Sequence, residues 1–141
     1  MDEHGTKKHL DWWAVGLWAS QLILAAIFLY AGFMKLGRSP EGLAELGWTW
    51  AMDLPLPFIR FIGAMEILGA VGIILPAASR ILPWLTPLAA AGMAFVQISA
   101  IILHGARGET AETVWFNLTL LALAAFVLWG RLSKRPVSPR T

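Results

Sequence analysis

Four stretches of about twenty apolar residues dominate the chain, at about 12–35, 57–77, 81–104 and 113–131, separated by charge, proline or glycine. A helix of about 20 residues crosses a hydrocarbon core of about 30 Å. It also satisfies its own backbone polar groups where no water can do so. The alternative, a water-soluble core, fails on composition. The 141 residues are 57% hydrophobic and 14% charged, and a domain this small has too little interior to hide that much apolar surface. The predicted fold class is therefore an all-α membrane protein. It is a four-helix antiparallel transmembrane bundle, with a short interfacial helix between the first and second spans.

The polar segments complete the plan. Residues 1–11 read as an aqueous tail, 12–131 as the transmembrane domain and 132–141 as a basic, disordered tail. The first span is too long for a signal-peptide core and is expected to stay uncleaved. Trp12, Trp13 and Trp18 suit an interfacial belt at its start. In the long connection, Leu43, Leu46 and Trp50 fall at i, i+3 and i+7, which predicts an interfacial helix over roughly 41–51 with Trp48 and Trp50 at headgroup level. Pro55 and Pro57 stop it, and Pro76 is expected to close the second span. Basic residues number seven at the termini and the Arg80 turn, against four on the other side (Lys35, Arg38, Arg60, Arg107). That bias predicts both termini in the cytoplasm, with the chain in the cell inner membrane.

With no cysteine, the chain itself has no thiol–disulfide exchange, thiolate nucleophile or Cys-ligated cluster. There is no nucleic-acid footprint. His4 and His9 lie in the tail without a third ligand and read as solvated, so no metal site is expected.

The informative residue is Glu66, near the middle of the second span. A carboxylate at that depth costs roughly 2.5–3.5 kcal/mol on insertion scales, so a partner, a proton or a function must offset it. Gly63, Ala64, Gly69, Ala70 and Gly72 around it let neighbouring helices approach. Antiparallel topology brings other polar groups to the same half of the bundle: Lys35 at the end of the first span, His104 at the end of the third and Asn117 one turn into the fourth. Two readings remain. In one, these are separate interfacial or packing side chains, with Lys35 snorkelling to the surface and Glu66 neutral. In the other, they share one pocket under the long connection. The pocket reading makes Glu66 and His104 the catalytic candidates, and Lys35, Asn117, Trp115 and Arg60 the ligand-binding ones. Arg60 is six residues from Glu66, about 600° of helix, so the two point apart.

At these positions the sequence resembles the DoxX family of small four-helix membrane proteins. The resemblance is carried by AGFMKL at 31–36, LPLP at 54–57, MEILGAVGIILP at 65–76, ISAIILHG at 98–105 and WFNLTLLALAAFV at 115–127. The family's recurring polar positions correspond to Lys35, Glu66, His104 and Asn117. Relatives include a subunit of a thiosulfate:quinone oxidoreductase, and some members are linked to oxidative-stress complexes. The resemblance thus implies a quinone-linked role, as an oxidoreductase subunit with a quinone as cofactor and a soluble or membrane redox partner. Glu66 would exchange a proton, with Lys35, His104 and Asn117 on carbonyl oxygens. Two other readings stand beside it: a non-redox enzyme or binder of a small lipophilic molecule using Glu66 as acid and base, and a scaffold subunit. Membrane lipids are partners in each case, and a homo-oligomer is compatible with all three.

Overall fold

The computed structural model describes residues 9–109 and 111–141. His4, Lys7 and Lys8, which enter the tail and orientation readings above, lie outside the described residues. The elements are α1 (Trp12–Gly37), α2 (Pro40–Ala44), a 3-10 turn (Thr49–Asp53), α3 (Leu56–Ser79), α4 (Leu85–Ala106), α5 (Ala111–Trp129) and a π-helical turn (Gly130–Lys134). Among the described residues, four helical segments are long and apolar enough to cross a membrane. Strands are absent among the described residues. The all-helical class and the four-span bundle expected from the hydropathy pattern are both present.

Local chemistry sets the helix ends. The Asp11 carboxylate accepts from the backbone N–H of Trp13 at 3.1 Å and Ala14 at 3.3 Å, capping α1. Ser39 does the same for α2 through Gly42. Pro40 and Pro57 sit in first turns, where the missing N–H costs nothing. α3 does not stop at Pro76. It continues to Ser79 and ends where Arg80 turns left-handed at φ 61°, its N–H returning to the Pro76 carbonyl.

The predicted interfacial helix is shorter than the pattern suggested. α2 ends at Ala44, and Gly47 at φ 90° separates it from the 3-10 turn. Leu43 and Ala51 then fold inward onto Ile59, with Met34, Trp48, Trp50 and Leu54 around them. The connection is thus tied to the bundle by its own small core. Helical structure also runs past the expected boundary at 131, to Lys134. Beyond it, the tail is fastened to the α3–α4 turn: Arg80 donates to the carbonyls of Ser138 and Pro139, and Arg140 N–H donates to the Arg80 carbonyl.

The four long helices form a ring in which α1 packs on α3, α3 on α4, α4 on α5 and α5 back on α1. Leu24, Phe28, Ala70, Ile73, Met93, Leu120 and Val127 fill its centre. The α1–α3 contact is the tightest. A Cβ placed on Gly32 would come within 2.8 Å of the Gly63 carbonyl oxygen, and one on Gly63 within 2.9 Å of the Gly32 oxygen. The two glycines let backbone meet backbone, as small residues do in membrane helix pairs. Lys35 and Glu66 each lie three residues beyond one of these glycines, on the same helical face.

Candidate functional site

Lys35 and Glu66 meet directly. Lys35 Nζ lies 2.8 Å from both Glu66 carboxylate oxygens, and the side chains are 8% and 7% exposed. The direction of each side chain explains why. Helical side chains lean toward the N-terminus of their own helix. On α1 that lean carries Lys35 back into the bundle; on antiparallel α3 it carries Glu66 toward the helix start. The two lean toward each other, with the Lys35 stem lying against Gly63. Snorkelling would need Lys35 to extend against that lean, so the interfacial reading of this residue does not describe the structure.

Trp48 and Trp50 complete the ammonium's surroundings. Their rings lie 5.0 and 5.6 Å from Nζ, within cation–π range. They turn inward over the ion pair and are partly buried, because the desolvated cation beneath them supplies a partner for their faces. Arg60 takes a different place from the one assigned to it. Its guanidinium donates to the carbonyls of Lys35 and Arg38, satisfying the open C-terminal end of α1. It braces the backbone of Lys35 without lining the cavity.

That cavity has a volume of about 1440 Å³ and is bordered by all four long helices and the 36–57 connection. Lys35, Glu66, His104 and Asn117 all line it. Its polar groups gather toward one end, while an apolar furrow continues past Gly69 and Gly72 to Pro76 and Leu85. Phe61, Leu68 and Phe95 line it too and are 60%, 62% and 72% exposed. The furrow therefore opens sideways between α3 and α4, toward the region lipid would occupy. Its size exceeds the usual range for a closed ligand pocket, about 300–1,000 Å³, as an open groove should.

His104 stands at the end of α4 and shares a 2.5 Å hydrogen bond through Nδ1 with Glu109 Oε2. Nε2 is left as its second ring nitrogen. Glu109 also accepts from Arg107 Nε at 2.6 Å, and Arg107 reaches across to Asp53 and Thr49 on the 3-10 turn. Partial burial raises the Glu109 pKa, but the hydrogen bonds from Arg107 and His104 outweigh it and hold the carboxyl below the ordinary glutamate range. This chain of contacts fastens the connection over the cavity mouth. Asn117 donates through Nδ2 to the Thr113 carbonyl at 2.8 Å, which leaves its side-chain oxygen toward other partners.

Trp115 does not join the group. It is 68% exposed and absent from the cavity wall. Two residues from Asn117 is about 200° around the helix, so a wall containing Asn117 excludes it. Gln97 belongs to the wall and was missed. It is buried, and its side-chain oxygen has no hydrogen-bond partner among the described residues. Its spacing of seven from His104 puts both on one face of α4, and that was the available signal. Trp48 and Glu109 also line the cavity, brought there by loops whose course the sequence pattern does not specify, and Glu112 joins them from the first turn of α5. Among the described residues, no three His, Asp or Glu side chains converge as metal ligands.

Four apolar spans around a cavity that keeps its polar groups at one end define a small helical membrane protein. The model of the DoxX-like family matches residues 19–127, most of the chain and all four polar positions, and the protein belongs to that family. No curated protein and no solved structure matches the chain.

Proposed function

We propose that this protein binds a small lipophilic molecule with a quinone-like head, as a membrane component of a redox system. The observation that carries the reading is the buried Lys35–Glu66 pair set in the wall of a long apolar furrow that opens sideways. A head group would sit by Lys35, Glu66, His104 and Asn117, and an isoprenoid-like tail would follow the furrow past Gly69 and Gly72.

The residues fit such a head. Lys35 commits two of its three N–H donors to Glu66, so one remains for a carbonyl oxygen. His104 Nε2 and the Asn117 amide add further polar contacts. A quinone, when bound, supplies two-electron chemistry coupled to proton uptake. The chain's own part is to orient the head, exclude water and exchange a proton at Glu66, with Lys35 balancing the carboxylate charge whenever that proton has left. Electrons must come from a partner's cofactor. The basic-residue bias supports an inner-membrane location with cytoplasmic termini.

A scaffold role has one observation in its favour: both Glu66 oxygens are already bonded to Lys35. One experiment separates the readings. Titration of the purified protein with a decyl-substituted benzoquinone should quench tryptophan fluorescence saturably, with Trp48 and Trp50 nearest the head. The Lys35→Met/Glu66→Leu double variant, still folded, should lose most of that affinity. Equal affinity in both proteins, or no saturable binding, would leave the ion pair as a structural tie.

A further inference from the structure

The opposite end of the bundle holds a second buried cation, outside everything proposed above. Arg131 follows α5 in the π-helical turn and is 7% exposed. Its Nε and Nη2 both donate to the Gln21 side-chain oxygen, at 2.8 and 2.6 Å, and Nη1 reaches the Arg135 carbonyl at 3.3 Å. Gln21 is held in turn by the Ile73 carbonyl. The guanidinium carbon lies 5.2 Å from the Trp18 ring.

These partners are all neutral. Among the described residues no carboxylate forms an ion pair with Arg131, and nearby Asp11 is taken by Arg135 at 2.6 Å. Buried charges are ordinarily paired, because an unpaired one forfeits its hydration for little return. A guanidinium has five N–H donors; three are engaged here, which leaves two Nη hydrogens.

Arg131 also lines a cleft of about 310 Å³, with Pro83, Trp84, Pro87, Pro136 and Val137 among its walls. One wall is the tail, strapped across by the Arg80 hydrogen bonds to Ser138 and Pro139. The walls are apolar and the anchor is cationic. The cleft lies where the α5 span ends, which for an apolar helix of that length is close to where a membrane surface would fall, beside the exposed Trp84 and Leu132. Arg80 and Arg140, hydrogen-bonded along the tail that forms one wall, add positive charge beside it.

We infer that the Arg131 cleft binds the phosphate of an anionic phospholipid headgroup. A planar guanidinium matches phosphate oxygens in a fork, and basic pockets at helix ends accept lipid headgroups. The proline and tryptophan walls would cover the glycerol and first methylenes. Free phosphate would leave those walls bare, which is why the lipid is the occupant chosen.

The test uses the full chain in an uncharged detergent, with thermal unfolding followed as probes are added at matched ionic strength. Dihexanoyl-phosphatidylglycerol should raise the Tm by several degrees, while dihexanoyl-phosphatidylcholine and inorganic phosphate leave it unchanged. Arg131→Met should abolish the rise, and Arg38→Gln, at the other end of the bundle, should keep it. An equal rise with phosphatidylcholine would overturn the anion anchor, and an equal rise with inorganic phosphate would overturn the lipid. No rise with any probe overturns both. Should Arg131→Met fail to fold, Val137→Trp fills the cleft from the strap and leaves the bundle untouched. A phosphatidylglycerol response that survives Val137→Trp refutes the site.

Discussion

Removing one member of the Lys35–Glu66 pair should hurt the protein far more than removing both. From the sequence alone, Glu66→Leu reads as neutral or stabilising, because an apolar residue needs no desolvation. The structure reverses that sign. Lys35 Nζ is 2.8 Å from both oxygens and both side chains are almost fully buried, so Glu66→Leu strands an ammonium in an apolar wall. At an effective dielectric of about 20, unit charges about 3 Å apart attract by roughly 6 kcal/mol before desolvation is subtracted. Breaking a buried pair from one side costs about 3–5 kcal/mol, whereas replacing both members with apolar residues is near neutral or better. We therefore expect Lys35→Met and Glu66→Leu each to lose about 3–5 kcal/mol, and the double variant to recover to within about 1 kcal/mol of the native protein. The assay is unfolding in mixed detergent micelles, read as a double-mutant cycle. Additive losses, or single variants costing less than about 1 kcal/mol, would refute the reasoning, because the pair would then be solvated or uncoupled.

Further predictions follow from neighbouring contacts. Gly63→Val should separate α1 from α3, since even a Cβ would meet the Gly32 oxygen and the Lys35 stem at 2.9 Å; unfolding measurements should show a loss of about 1–3 kcal/mol. Arg60→Ala should cost about 1 kcal/mol in the same assay by uncapping α1, with amide exchange quickened at 35–38. The hydrogen bond from Arg135 holds the Asp11 carboxyl below the ordinary aspartate range, with lesser help from the α1 N–H groups. A depressed carboxyl stabilises above its unfolded pKa and loses that contribution as pH falls through the folded one. Stability should therefore decline below about pH 4, and Asp11→Asn should flatten that part of the profile. Single cysteines introduced at positions 42 and 137 should label from opposite faces of the membrane, with 137 accessible from the cytoplasm.

Much of the architecture was legible in the sequence because the signal is compositional. Uncharged runs of about twenty residues can satisfy their backbone in lipid only as helices, and antiparallel succession puts Lys35, Glu66, His104 and Asn117 in one half of the bundle without any knowledge of side-chain direction. Rotation about each helix axis was not legible. Apolar residues cover every face of these spans, so no amphipathic stripe points inward. Only the assembled ring turns Trp115 out and Gln97 in. Only the pairing of α1 with α3 converts a lysine at a helix end into the buried partner of a glutamate a turn deeper, because side-chain lean acquires a target once a neighbouring helix runs the other way. Arg131 makes the same point at the other end. In sequence it is one of several basic residues after an apolar span; in the fold, Gln21, 110 positions earlier, draws it under the surface, since a desolvated guanidinium needs acceptors that only tertiary packing can bring to it.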